Sequence, residues 1–212
     1  MIPKLHYISQ GNTPKEHLEN IQKACSSGAE LVQLNLNNIS EKKYLKFAKE
    51  AREITSHFQT RLILKNHFKI AKEVKADGVH IENINFCATT ALEYLYKWQI
   101  IGGTANTLKD CESLISKKVD YIILSPFRVS NNEESEPTTL GLNGFSLIVD
   151  ALKTKTPIIG WGDIASDDVK TILETGVSGV AVSDEITFNF DSIQLFHKLL
   201  SASSINEQRH TF

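Results

Sequence analysis

Short apolar runs alternate with longer amphipathic stretches along the whole chain. Residues 5–9, 29–36, 61–65, 78–81, 100–104, 119–125, 157–161 and 179–183 read as strands. The segments between and after them predict helices over 14–26, 40–57, 68–74, 89–98, 107–117, 145–153, 166–174 and 191–200. In the second of these, Tyr44, Phe47, Ala48, Ala51 and Ile54 recur at helical spacing. Thr13 before Pro14, Ser40, and Ser166 with Asp167 and Asp168 supply helix starts, and Gly176 stands where a helix C-terminus is expected. The runs 157–161 and 179–183 are continuously apolar and joined by one helix, which implies neighbouring parallel strands buried on both faces.

The segments GAELVQL, ADGVHI, VDYIIL and VSGVAV each set a small or acidic residue before an apolar strand, the repeating end of a helix–strand unit. Strands and helices alternate with no hairpin pattern, so the fold class is α/β with a parallel sheet. About eight such units favour a single-domain (β/α)8 TIM barrel over residues 1–203, with an open doubly wound sheet as the alternative. Residues 204–212 are expected to form a flexible polar tail.

Charge and composition narrow the class of partner. A formal net charge of −2 over 212 residues offers no basic footprint for nucleic acid or an anionic membrane. No apolar run approaches the roughly 20 residues of a membrane helix, and MIPKLHYIS lacks a signal peptide's apolar region. The expectation is a cytoplasmic protein, its oligomeric state open with a homodimer among the options. Cys25, Cys87 and Cys111 are odd in number and widely spaced, so they read as thiols, not as a disulfide set or metal site.

In a barrel the chemistry sits at the C-terminal ends of the strands, so the candidates come from there. They are Gln33, Asn35 and Asn37 after strand two, Asn66 and His67 after strand three, and His80, Glu82 and Asn85 after strand four. Thr104 and Asn106 follow strand five, Ser125 and Arg128 strand six, Gly160, Gly162 and Asp163 strand seven, and Val182, Ser183 and Asp184 strand eight. His67 either shuttles a proton at neutral pH or caps the third helix. His80 is an acid–base candidate or a satisfied interior histidine, and Glu82 a general base or half of an ion pair. Arg128 is a candidate phosphate clamp, and Trp161 either stacks on a heteroaromatic ring or packs the interior.

These short signatures, in this order, resemble the thiamine-phosphate synthase/TenI family. QLNLN stands where that family writes QLR-x-K, KN-HF where it has an Asn-Asp pair, and ADGVHIENIN where it has ADGVH-LGQ-x-D. IIGGTANT is similar to IIG-x-S, VDYIILSPF to DY-x-x-x-GP-x-F, and PIIGWGDI to P-x-x-AIGGI. The resemblance implies a (β/α)8 barrel that joins an aminopyrimidine pyrophosphate to a thiazole phosphate, releasing pyrophosphate with the help of Mg²⁺. It also implies that the family's pyrophosphate-binding Arg and Lys fall on Asn35 and Asn37, and its Mg²⁺ aspartates on His67 and Asn85, which are not carboxylates. Its Thr-x-Thr-Lys loop falls on Ser130, Asn132 and near Glu133, and the second glycine of its phosphate turn on Asp163. Phosphate would then rest on the turns at Gly160, Gly162, Asp163, Val182 and Ser183. Two asparagines do not replace Arg and Lys in neutralising a leaving pyrophosphate. The expectation is therefore a thiamine-biosynthesis barrel with an altered site and doubtful condensation. The alternatives are a TenI-like thiazole tautomerase, whose base position holds Asn106, or a non-catalytic binding barrel.

Overall fold

The structure is a computed structural model that describes residues 1–82, 88–128 and 139–207. Eight parallel strands close into one barrel in sequence order: β1 (Leu5–Ile8), β2 (Leu31–Leu34), β3 (Arg61–Lys65), β4 (Gly78–Ile81), β5 (Ile100–Ala105), β6 (Tyr121–Leu124), β7 (Ile158–Gly160) and β8 (Gly179–Val182). β1 pairs with β2 on one side and with β8 on the other. The helices between them are α1 (Pro14–Ser26), α2 (Glu41–Phe58), α3 (Phe68–Glu73), α4 (Ala88–Tyr94), α5 (Leu108–Ser116), α6 (Gly141–Leu152) and α7 (Val169–Glu174). α8 (Asp184–Phe188) and α9 (Ser192–Glu207) close the chain. The α/β class and the TIM barrel are thus as expected. α9 runs into residues expected to be tail, and 208–212 lie outside the described residues.

The helix starts follow local chemistry. Thr13 Oγ1 accepts the Glu16 N–H at 3.2 Å, Ser40 Oγ accepts Lys43 N–H, and Thr107 Oγ1 accepts Asp110 N–H. The repeated acid before a strand has a definite task. Asp77 Oδ2 accepts the Leu62 N–H at 2.8 Å while its own N–H bonds Leu62 O, pinning β4 to β3. Asp120 does the same to Ile101 of β5, at 2.7 Å in each direction. Four differences from the sequence expectation have local causes. Most strands are shorter than their apolar runs, because pairing stops where the barrel rim turns. α6 begins at Gly141, where Leu140 N and Gly141 N bond Pro126 O and Phe127 O. Residues 166–168 form a 3-10 turn ahead of α7, and the short α8 lies in a stretch for which the sequence predicts no element.

Two apolar layers result. The larger lies between sheet and helices and includes Val32, Leu62, Leu64, Tyr44, Phe145 and Phe196. The smaller fills the barrel interior with Ile8, Tyr121, Ile123, Ile159 and Ala181, with Trp161 packed against it. Cys25 and Cys111 are buried free thiols, and Cys87 lies outside the described residues. Among the described residues no helix is long and apolar enough to cross a membrane.

Candidate active site

A cleft of about 750 Å³ opens at the C-terminal ends of the strands. Asn35, Glu82, Thr104, Ser125, Arg128, Gly162, Asp163, Val182 and Ser183 line it, as do Asn106, Trp161, Asp184, Glu185 and the exposed Phe188. Gln33, Asn37, Asn66, His67, His80 and Gly160 are not among its lining residues. Gln33 is buried on β2, in register with Ile8 and Ile63. Gly160 serves packing: a Cβ there would come within 2.7 Å of the Phe145 ring on α6. Asn85 and the loop positions Ser130, Asn132 and Glu133 lie outside the described residues.

The floor on the β6–β8 side is built by loop-to-loop hydrogen bonds. Phe127 N–H donates to Trp161 O at 2.8 Å and Arg128 N–H to Gly162 O at 3.1 Å. That close approach requires glycine at 162, where φ is +124° and a Cβ would lie 2.6 Å from Phe127 N. Asp163 follows with φ +44°, a conformation disfavoured for a side-chain-bearing residue. Arg128 is committed: its guanidinium donates to both Asp168 oxygens, at 2.8 and 3.3 Å, and to Asp163 O at 3.1 Å. The Asp168 partnership raises its pKa further. Ser183 Oγ donates to Ile8 O at 2.9 Å, tying the β8 end to β1.

Behind Thr104 runs a buried polar chain. His80 Nε2 lies 2.8 Å from Thr104 Oγ1 and its Nδ1 3.2 Å from Tyr121 Oη, with the His80 and Tyr121 rings stacked. Burial, with smaller contributions from His6 and Lys65, pushes the His80 pKa down to about 3. The ring is therefore neutral and carries one proton, and both nitrogens are engaged whichever tautomer forms. His80 meets the cleft only through the Thr104 hydroxyl. Asn106 Nδ2 donates to Ser125 O at 2.8 Å, so an amide with no basic atom stands where the resemblance implies a tautomerase base.

A charged cluster joins the ends of β2, β3 and β4. Lys65 Nζ lies 2.7 Å from Glu82 Oε1 and donates to Asn37 Oδ1 at 3.0 Å. Asn66, at φ +58°, accepts the Glu82 N–H at 3.0 Å and donates to Glu82 Oε2 at 3.4 Å. In the sequence Lys65 simply ends a strand of apolar residues. The clue was parity: Arg61, Ile63 and Lys65 alternate with Leu62 and Leu64, which pack on the helices. His67 stands at the N-cap position of α3 without a side-chain capping bond, its ring centroid 3.8 Å from that of Tyr44. Partial burial lowers its pKa.

Mg²⁺ prefers oxygen ligands and near-octahedral geometry. Of the two positions implied for it, His67 offers an imidazole packed on Tyr44, and Asn85 lies outside the described residues; Glu82 already binds an ammonium. Among the described residues no three of His, Cys, Asp or Glu group to hold a metal ion. His67 brings no carboxylate oxygen to such an ion, and the chemistry of this site is taken from the chain's own groups. Glu82, Asp163, Asp184 and Glu185 give the described cleft wall an acidic balance against one guanidinium.

A closed ring of eight parallel strands with a cleft at their C-terminal ends and a glycine-dependent turn after β7 places the chain among the (β/α)8 barrels. Residues 5–186 match the family model for thiamine monophosphate synthase, and the chain belongs to that family. A thiamine-phosphate synthase of Flavobacterium johnsoniae is 35% identical over 190 residues, 88% of this chain and 90% of that one. One from Flavobacterium psychrophilum is 34% identical over 94% of this chain and 98% of its own length. The solved thiamine phosphate pyrophosphorylase of Pyrococcus furiosus has the same fold, with a TM-score of 0.78 at 22% identity over 94% of this chain and 96% of that one.

Proposed function

We propose that this protein seats a thiazole phosphate in the mouth cleft and joins it slowly to an aminopyrimidine pyrophosphate, releasing pyrophosphate. The observation that carries the reading is the glycine-dependent turn at Gly162, which packs on the backbone of the β6 loop and lines the mouth cleft together with Val182 and Ser183. Phosphate would lie against the backbone of Gly162, Asp163, Val182 and Ser183. The heterocycle would stand between Trp161 and the wall of Ser125 and Pro126, with Asn35 and Thr104 offering hydrogen bonds. His80 orients the Thr104 hydroxyl and is a positioning residue in this scheme. The names of the Flavobacterium relatives support the same substrates.

The slowness has a charge argument. Pyrophosphate leaves with negative charge developing on its oxygens, and Asn35 and Asn37 bring amide dipoles where the family brings cations. Loss of such a stabilising group typically lowers turnover about 10²–10³-fold. The test is one assay with purified protein, both precursors and Mg²⁺, read as thiamine phosphate formed, beside a melting curve with thiazole phosphate alone. A raised melting temperature and slow turnover are expected, and Asp163→Gly should tighten thiazole phosphate binding by removing a carboxylate. Absence of any shift with thiazole phosphate would overturn the binding reading. Turnover equal to a relative with the Arg and Lys would overturn the slow-condensation reading.

A further inference from the structure

We infer that Lys65 is the cation of an anion subsite at the β2–β4 corner of the mouth, and that Glu82 is its resting counter-ion, displaced when a ligand's phosphate group arrives. This deepens the proposed function and rests on it for the identity of the substrate.

The geometry is specific to this corner. The Lys65 side chain is 12% exposed, while that of Glu82 is 38% exposed and lines the cleft. The ammonium is thus held in place by the barrel, and the carboxylate is the member of the pair with room to leave. An ammonium so enclosed needs an anionic partner, and a departing Glu82 must be replaced by another anion. Glu82 would lose one ion pair and one long hydrogen bond to Asn66 on leaving, and would be rehydrated. A doubly charged phosphate group gives Lys65 a stronger partner than a single carboxylate. Asn37, bonded to the same ammonium, and Asn35, in the cleft wall, are positions where the resemblance implies cations. Lys65 returns one positive charge to that corner from a different strand. Arg128 does not compete for this role, because its fork already holds Asp168 across the opposite side of the mouth.

Calorimetric titration with inorganic pyrophosphate alone tests the subsite, and thiazole phosphate in the same series tests the underlying reading. Lys65→Met is expected to weaken pyrophosphate at least about 10-fold while leaving the thiazole phosphate affinity within about 3-fold. Lys65→Arg should retain most of the binding. Glu82→Gln should tighten pyrophosphate several-fold, since an amide competes less for the ammonium. If the wild-type protein binds no pyrophosphate but Glu82→Gln does, the counter-ion role is supported directly. Equal pyrophosphate affinity in wild type and Lys65→Met, weaker binding in Glu82→Gln, or no binding in any variant would overturn the inference. Loss of thiazole phosphate binding in the wild type would instead overturn the substrate reading.

Discussion

His6 and His80 sit almost fully enclosed inside the barrel, at 1% and 2% exposure. Burial pushes their pKa values down to about 4 and about 3, against 6.5 in an unfolded chain. Below pH 6.5 the unfolded state therefore binds protons that the folded state refuses, and stability falls as pH falls. The contribution is present above about pH 7 and is lost progressively toward pH 4 for His6 and pH 3 for His80, at roughly 2 kcal/mol per histidine by pH 5. Urea midpoints at pH 7 and pH 5 should show this drop, and His6→Phe should show about half of it. A midpoint unchanged between the two pH values would contradict the burial account. Residue-scale chemistry was partly legible beforehand. GVH marked His80 as a strand residue, but only the Tyr121 and Thr104 bonds decide that it meets the cleft through an intermediary. Lys65 is not legible in this way, because a charged residue ending an apolar strand looks solvated until its inward parity and its partner just after β4 are known.

Within β5 the doubled glycine shows how one element serves two layers. A Cβ at Gly102 would run into the Tyr121 ring inside the barrel, and one at Gly103 into Leu114 of α5 outside it. Both side chains are fully or almost fully buried and have little room to yield. Gly102→Ala should cost about 1–3 kcal/mol through overpacking, seen as a lower melting temperature. An unchanged melt would mean that the Tyr121 ring can shift without cost. The existence of the elements was readable from period and caps, because those depend on neighbours within a turn. Their ends were less so. α6 starts where its first amides find carbonyls of the β6 loop, and α8 forms against a barrel rim that no local pattern announces.

The whole molecule depends on closure between its two ends. Val180 N–H donates to Lys4 O at 2.8 Å, and Leu5 to Tyr7 lie in register with Val180 to Val182. A chain truncated after Ser178 would leave β1 and β7 as bare edges and uncover the apolar interior. It is expected to show no cooperative thermal transition by circular dichroism; a cooperative melt near that of the full chain would show that seven strands suffice. The sequence by itself determined the eightfold alternation, the parallel sheet and the family, because these follow from periodicity, chain connectivity and short ordered motifs. Tertiary structure alone decided which strand-end residues share the cleft and which charges are already spent on one another. Arg128 on Asp168 and Lys65 on Glu82 join residues 40 and 17 positions apart, on different loops and strands. Electrostatic partners of that kind are set by distance in space, to which sequence separation is blind.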